Sequence, residues 1–270
     1  SNPVEIDLTA DTAVNEAILV TDRYSRPLTY HIRLNGGGKT VSRADGFTDS
    51  IIHVAQSSTL YLENITFDGA LTDDTADDSI IRIAATGRSG MPANNDSHDN
   101  YVVIGKDAVL QNNHSSQTGG AVCLEAGTLI LDGGTIKDNI ADKSGGGVYV
   151  SSGDEGTNDN ADVFYPAQFI MNSGTISGNK AVRDNNYGGG VDVETISKDE
   201  YENGTNPSGF IMNGGVIENN AAYDGGGISM SNYDNVQILG GTIRNNRCEN
   251  SSGVNRALGV TGILCNFGAS

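Results

Sequence analysis

The sequence predicts an all-β solenoid, a single-stranded right-handed parallel β-helix of about seven coils with an asparagine ladder and loop inserts. Three observations predict it. A segment close to GGTI-x-x-N recurs along the chain, a glycine-rich segment precedes each copy, and the predicted strands are short and flanked by Gly, Asn or Asp. Stacked coils of this kind bury an apolar face against their neighbours.

The repeat is clearest in four segments that align without gaps, 129–141, 169–181, 210–222 and 236–248. Each follows a glycine-rich segment, at 119–124, 145–150, 188–193 and 225–230. Fainter copies lie upstream, at 79–84 with 102–113 and at 51–54 with 60–69. We therefore interpret residues 1–270 as one domain, with an irregular N-terminal coil or cap at 1–50, regular coils at 51–248 and a C-terminal coil or cap at 249–270.

The spacing of equivalent residues reveals two inserts. Ile217 and Ile243 are 26 residues apart and Val109 and Ile136 are 27 apart, whereas Ile136 and Ile176 are 40 apart. The longer intervals contain inserts at 151–168 and 194–208, which leave the same corner of adjacent coils. A propeller would need regularly placed antiparallel hairpins and a leucine-rich repeat would need a Leu-based consensus, and the sequence has neither.

Stacking in register predicts three inward columns of apolar side chains. The first is Phe67, Val109, Ile136, Ile176, Ile217 and Ile243; the second is Leu62, Ile104, Leu131, Met171, Met212 and Ile238; the third is Ile81, Val122, Val148, Val191 and Ile228. A polar column follows the first one at a distance of three residues: Asn112, Asn139, Asn179, Asn220 and Asn246. Asn tolerates the conformation of a sharp bend, and its amide can bond to the equivalent amide one coil away. We expect a buried structural ladder there.

Composition excludes several classes of partner. The formal net charge of −18 argues against nucleic acid and against an anionic membrane surface, both of which attract clustered Lys and Arg. No apolar run is long enough to span a membrane. The acidic surface is compatible with calcium, but no EF-hand, P-loop or zinc pattern occurs, so no cofactor is expected. We expect a monomer with no membrane contact.

The three cysteines do not form a disulfide framework or a metal-type motif. Cys248 occupies the repeat position at which the earlier coils have Ala141, Ala181 and Ala222. This departure from the repeat suggests a specific role for the thiol. We predict that Cys248 and Cys265 form a disulfide near the C-terminal end, where a solenoid lacks a next coil to protect its edge.

Candidate ligand-binding residues follow from column geometry. The fifth position of each glycine-rich segment should point outward, and that column reads Arg82, Cys123, Tyr149, Asp192 and Ser229. Asp184 and Asp224 lie in the loops before it, so that Tyr149, Asp192 and these two carboxylates are typical of a sugar site. The alternative is an ordinary solvated face of an acidic protein.

The inserts supply a second candidate. They carry acidic residues with Tyr165 and Tyr201, and they leave one corner of adjacent coils, so we expect them to meet. Their structural role would be to cover an outward apolar stripe, Val103, Ile130, Ile170 and Ile211.

Catalytic patterns were sought in the same way. β-helix hydrolases and lyases use carboxylates on one face, either paired or around calcium. The acidic pairs Asp73-Asp74 and Asp77-Asp78 lie in a segment of solvent-loving composition, and no histidine stands between two glycines. The catalytic residues are therefore not identified from the sequence.

Several motifs resemble a known group of proteins. GGAV at 119–122 and FIMN at 169–172 and 210–213 resemble the GGA(I/V/L) and F-x-x-N repeats of polymorphic outer-membrane adhesins. The wider repeat is similar to those of exported bacterial surface proteins in the pectate-lyase-like superfamily of right-handed β-helices. The resemblance covers roughly residues 50–250.

The resemblance implies an exported, bacterial-type cell-surface module. We expect an adhesin or glycan-binding protein without catalysis, located outside the cell or on its surface, whose partner is a carbohydrate or a host surface molecule. One alternative is a polysaccharide lyase or glycoside hydrolase that acts on host or plant glycans. A second alternative is a structural stalk segment.

Overall fold

The structure is a computed structural model that describes residues 3–21, 30–55, 57–70, 76–84, 100–151, 153–154, 164–194, 209–230, 235–253 and 262–265. Within these ranges every regular element is a β-strand, and three sheets are built from parallel pairs. The protein is therefore all-β, and its architecture is consistent with a β-solenoid. None of the described residues form a helix that could cross a membrane.

The large sheet contains twelve strands, numbered here in chain order along the whole protein. They are β1 (Val4–Asp7), β2 (Thr12–Val14), β4 (His31–Arg43), β6 (Thr59–Asp68), β8 (Tyr101–Ile104), β9 (Val109–Gln111), β12 (Gly127–Lys137), β17 (Ala167–Ser177), β20 (Gly209–Met212), β21 (Val216–Glu218), β24 (Asn235–Ile238) and β25 (Thr242–Arg244). The long strands change register part-way along, β12 for example between Leu131 and Thr135. Gly133 lies at this step with a φ of 94°, a left-handed conformation that favours glycine.

Two further sheets complete each coil. The eight-stranded sheet contains β3 (Ile18–Val20), β5 (Ile52–Val54), β7 (Ile81–Ile83), β11 (Val122–Leu124), β14 (Val148–Ser151), β19 (Val191–Glu194), β23 (Ile228–Met230) and β27 (Ile263–Cys265). The five-stranded sheet contains β10 (His114–Ser115), β13 (Ile140–Ala141), β18 (Lys180–Ala181), β22 (Ala221–Ala222) and β26 (Arg247–Cys248). β15 (Gly153–Asp154) and β16 (Phe164–Tyr165) form a separate antiparallel pair.

The core lies between these sheets and consists of apolar columns. The second and third predicted columns are confirmed, because strand register pairs each member with the next from Leu62 to Ile238 and from Ile81 to Ile228. The first column is confirmed except at one position. Leu110, not Val109, pairs with both Phe67 and Ile136 and is fully buried.

A row of asparagines runs through the core beside the first column. The side-chain oxygen of Asn179 accepts hydrogen bonds from the backbone and side-chain nitrogens of Asn139, both at 3.0 Å. Asn179 donates in the same two ways to Asn220, at 2.9 and 3.0 Å, and Asn220 donates to Asn246, at 3.0 Å each. Each amide therefore holds the coil before it and the coil after it.

The predicted first member of this row, Asn112, is wrong by one residue. Asn113 is the buried member, and its backbone nitrogen donates to the side-chain oxygen of Asn139 at 3.1 Å. Asn112 instead adopts a left-handed conformation with a φ of 54°, as do Asn219 and Asn245 before the later members. In these coils one residue makes the backbone bend, and the asparagine after it makes the hydrogen bonds to the neighbouring coil. Because Val109 and Leu110 are both apolar, the sequence pattern does not fix which one faces inward.

Candidate ligand-binding face

The outer face of the eight-stranded sheet carries the predicted polar column. Strand register places Arg82, Cys123, Tyr149, Asp192 and Ser229 side by side on β7, β11, β14, β19 and β23. The next outward position along these strands adds Glu125, Ser151 and Glu194, of which Ser151 and Glu194 pair directly. Neighbouring strands are about 4.8 Å apart, so the two columns form a grid of polar groups.

The first of these columns is more buried than an ordinary solvated face. Cys123 is 2% exposed and Asp192 is 5% exposed. The glycine-rich turn before each strand explains part of this burial. Gly188 has a φ of 65°, and a Cβ atom there would lie 2.5 Å from the Cβ of Asp192. Only glycine allows the turn to pass so close to the column.

At one end of the grid, Arg82 is held by two carboxylates. Its guanidinium donates to both oxygens of Glu125, at 2.7 and 2.8 Å, and to Asp78 at 3.3 Å. Burial lowers the pKa of Arg82, but the nearby Glu125 and Asp78 charges more than offset this and raise the pKa above its ordinary value. The guanidinium is therefore satisfied within the protein, so this end of the grid is occupied by its own ion pairs.

Burial also shifts the pKa values of Glu125 and Cys123, the two groups beside Arg82. It raises the pKa of the Glu125 carboxyl, while the positive charge of Arg82 acts in the opposite direction. Burial raises the pKa of the Cys123 thiol well above its ordinary range, and the negative charge of Glu125 adds to the effect. A thiol whose pKa is raised is a poor nucleophile, so Cys123 is suited to packing.

Tyr149 and Glu194 form the accessible middle of the grid, on β14 and β19. The Tyr149 hydroxyl donates a hydrogen bond of 2.6 Å to the Glu194 carboxylate from the neighbouring strand. Glu194 is exposed and Tyr149 and Ser151 are half-buried, so these groups face solvent above the buried Asp192. Burial, followed by the charge of Glu194, raises the pKa of the Tyr149 hydroxyl.

The two predicted loop carboxylates have different positions. The Asp184 side chain is exposed and accepts a hydrogen bond from the backbone nitrogen of Ser251 at 2.8 Å. Among the described residues no hydrogen bond joins it to Tyr149 or Asp192. Asp224 lies closer, because its backbone oxygen accepts from the nitrogen of Gly188, the glycine that packs against Asp192.

The inserts are only partly described. Tyr165 lies on β16, which pairs with β15 at the base of the first insert, but its side chain and all of Tyr201 lie outside the described residues. The inserts leave the ends of β14 and β19 and re-enter at the starts of β17 and β20. This corner separates the Tyr149 face from the outward stripe Val103, Ile130, Ile170 and Ile211, whose members are paired in register and half-buried. What covers the stripe stays a prediction.

The predicted disulfide also stays a prediction. Cys248 is buried on β26, beside Ala222 of the preceding coil. Cys265 ends β27 with its backbone beside Met230, and its side chain lies outside the described residues.

Three acidic residues of this face were missed by sequence reasoning. Glu125 and Glu194 follow Cys123 and Asp192 by two residues, so strict alternation would have placed them outward as well. Asp78 was assigned to a solvent-exposed segment, which is wrong. It is buried, accepts from the Ser50 hydroxyl at 2.8 Å and pairs with Arg82. Its burial depends on contacts that are distant in sequence and have no local signal.

The side chains of this face are hydrogen-bond donors and acceptors, namely carboxylates, hydroxyls and one guanidinium. Within the described ranges, no group of three or more His, Cys, Asp or Glu side chains is placed to hold a metal ion. Carboxylate oxygens and hydroxyl groups in a grid suit a ligand with many hydroxyl groups. No protein-family model, curated protein or solved structure matches the chain.

Proposed function

We propose that this chain is a right-handed parallel β-helix module of about seven coils that acts outside the cell or on its surface. In this proposal it belongs with the pectate-lyase-like surface proteins and binds carbohydrate without catalysis. The site is the accessible middle of the grid, formed by Tyr149, Ser151 and Glu194 over Asp192. The observation that carries the proposal is the 2.6 Å hydrogen bond between Tyr149 and Glu194 on an open face.

The charge of the face indicates the class of glycan. Carboxylates accept hydrogen bonds from sugar hydroxyls, but they repel uronic acids and sulfated sugars. The net charge of −18 adds to that repulsion at long range. We therefore expect neutral glycans to bind and polyanionic glycans to be excluded.

The pKa shifts and contacts of the titratable groups on this face favour binding over catalysis. A general base needs a pKa close to the working pH. The pKa of Tyr149 is moved upward, away from that range. The Glu125 carboxyl, whose pKa is raised, is already held by the guanidinium of Arg82. One observation favours the alternative of a hydrolase or lyase: Asp192 and Glu194 alternate on one strand, about 7 Å apart along the backbone, which is a pairing that glycoside hydrolysis uses.

One experiment tests both functions. The protein is applied to arrays of neutral, acidic and amino glycans, and the eluates are assayed for new reducing ends and unsaturated sugars. Glu194→Gln should weaken retention by about tenfold, because a hydrogen bond to a charged group contributes about 1.5–3 kcal/mol, and Tyr149→Phe by about threefold. Tyr61→Phe, on the outer face of the large sheet, is the matched control and should bind as the parent does.

The outcomes are distinct. Retention without product supports the binding function, and product that disappears with Glu194→Gln supports the enzyme. If no glycan is retained, or if both site variants bind as tightly as Tyr61→Phe does, this face is not the site.

A further inference from the structure

Asn113 lies in a sequence motif that the proposed function does not use. Asn113-His114-Ser115 has the N-x-S/T pattern that accepts an asparagine-linked glycan, and so has Asn64-Ile65-Thr66. Such a motif is ordinarily found on a surface loop, because an attached glycan is bulky and needs solvent around it. The two motifs differ in this respect. Asn64 is exposed at a bend, with a φ of 51°, whereas Asn113 is fully buried.

The side-chain amide of Asn113 is enclosed on every side that a glycan would need. Its nitrogen donates hydrogen bonds to the backbone oxygens of Asp78, at 3.1 Å, and Gly120, at 2.7 Å. Its oxygen accepts from the guanidinium of Arg43 at 3.0 Å. Gly69 closes the remaining side, because a Cβ atom there would lie 2.5 Å from the Cβ of Asn113. The space around the amide is therefore filled, and a sugar on its nitrogen has no place in the folded protein.

The chemistry of the modification adds a second conflict. Asparagine-linked glycosylation joins the amide nitrogen to the anomeric carbon of an oligosaccharide that is carried on a lipid diphosphate. The bond from that carbon to the diphosphate oxygen breaks, the diphosphate leaves with the bonding electrons, and the nitrogen gives up one proton. The product amide keeps a single N–H, so Asn113 would lose one of the two hydrogen bonds that its nitrogen donates. Packing and hydrogen bonding both exclude the modified side chain.

The order of contacts along the chain leaves Asn113 open until the next coil has formed. Its backbone nitrogen donates to the side-chain oxygen of Asn139, 26 residues later, at 3.1 Å. In the folded protein the amide is inaccessible, so a glycosyltransferase can reach it only while the chain is unfolded. A chain that passes such an enzyme in the unfolded state therefore presents Asn113 as a substrate before the ladder buries it.

We propose that Asn113 is a hidden acceptor site for asparagine-linked glycosylation, and that a glycan attached there before folding prevents the solenoid from closing. The chain then reaches its folded state only by an export route that leaves the asparagines of unfolded chains unmodified. This inference rests on the burial of Asn113 and not on the ligand site at Tyr149. It adds a route of maturation to the proposed location outside the cell.

Two substitutions each remove one motif and introduce a residue that the repeat already contains. Ser115→Ala removes the buried motif, and Ser115 pairs in register with Ala141 of the next coil. Thr66→Val removes the exposed motif and is the matched control, because Thr66 pairs in register with Val109. The parent and both variants are produced in a bacterial host that lacks asparagine-linked glycosylation and in a eukaryotic secretory cell. Glycan occupancy is mapped by mass spectrometry at each of the five such motifs in the chain, and circular dichroism checks the fold.

All three proteins should fold alike in the bacterial host. In the secretory cell the parent and Thr66→Val should carry a glycan at Asn113 and be retained as misfolded chains, whereas Ser115→Ala should be secreted with the β-sheet spectrum of the bacterial product. Secretion of a folded parent, with or without a glycan at Asn113, overturns the proposal, and so does retention of Ser115→Ala. Blocking the synthesis of the lipid-linked donor tests the same point without a substitution. It should restore secretion of the parent, and a parent that is still retained would count against the proposal.

Discussion

Replacing Asn179 by Ala tests the asparagine row where it is most complete. Four hydrogen bonds involve its side chain. Its oxygen accepts from both nitrogens of Asn139, and its amide donates to the backbone oxygen of Ile136 and the side-chain oxygen of Asn220, all at 3.0 Å. Alanine removes all four at a position that is fully buried.

The loss in the free energy of unfolding can be estimated from the polar groups that Asn179→Ala leaves without a partner. The backbone N–H of Asn139 loses the acceptor that the structure gives it, and a buried donor without a partner costs about 1–3 kcal/mol. Asn220 and the Asn139 amide keep other partners, so the remaining losses are about 0.5–1.5 kcal/mol per bond. Together these predict a loss of about 3–7 kcal/mol in the free energy of unfolding, a large part of the usual total of about 5–15 kcal/mol.

Urea unfolding followed by circular dichroism measures this loss. With a slope of about 3 kcal/mol per molar urea, the midpoint should fall by about 1 M or more. Asn172→Ala is the matched control. Asn172 is also an asparagine on β17, but its side chain is exposed and, among the described residues, accepts only from Asn213, at 2.9 Å. Its loss should therefore cost less than about 0.5 kcal/mol. Equal midpoints for the two variants would refute the stabilising role of the row.

Three further outcomes are expected. The pKa of Tyr149 is raised by burial and by Glu194 above an ordinary value of about 10, so the folded protein keeps a proton that the unfolded chain loses. The free energy of unfolding should therefore fall as the pH rises above about 10, and Tyr149→Phe should show a smaller fall; identical pH profiles would contradict this. Thiol titration of the unreduced, unfolded protein should find one reactive group if Cys248 and Cys265 are bonded, whereas three would exclude the disulfide. Shortening both inserts, 151–168 and 194–208, to two-residue turns should expose the Val103, Ile130, Ile170 and Ile211 stripe, and a shortened variant that sediments as the parent does would show that the inserts do not cover it.

The core was largely predictable from sequence because stacking imposes a repeat on it. A side chain in an inward column touches its equivalents in the coils before and after, so similar residues recur at a fixed spacing. Ile136, Ile176 and Ile217 show this directly. One position of the first column was predicted wrongly, as Val109 instead of Leu110. Both residues are apolar, so the alternation along the strand did not show which of them faces inward.

The polar face was less predictable because its contacts are made between residues far apart in the chain. The order of its column follows from the repeat, but its burial does not, and neither does the ion pair of Arg82 with Glu125, 43 residues away. The Asp78 carboxylate illustrates the limit. Its local composition suggests solvent, whereas the Ser50 hydroxyl and Arg82 hold it inside. Local composition reports average exposure and not the partner that makes burial possible.

The N-terminal end of the asparagine row shows how the regular part of the core is terminated. The oxygen of Asn113 accepts a hydrogen bond of 3.0 Å from the guanidinium of Arg43, not from another asparagine. Burial lowers the pKa of Arg43, while the charges of Asp78, Asp49 and Asp77 act in the opposite direction. A further asparagine has no room beside Asn113, because even a Cβ atom on Gly69 would lie 2.5 Å from its Cα. A long cationic side chain therefore reaches the last amide from a distance.

The contrast between the inner and outer columns of one sheet bears on function. The inward positions of β7, β11, β14, β19 and β23 are all Ile or Val at the first residue, which is what stacking alone favours. The outward position between them changes chemistry in every coil, from Arg82 through Tyr149 to Ser229, although several of its members are nearly as buried. Packing alone would favour like residues on like, with few polar groups to desolvate. A buried column of unlike polar residues costs stability that packing does not require. The proposed ligand site at Tyr149 and Glu194 would give a reason for that cost.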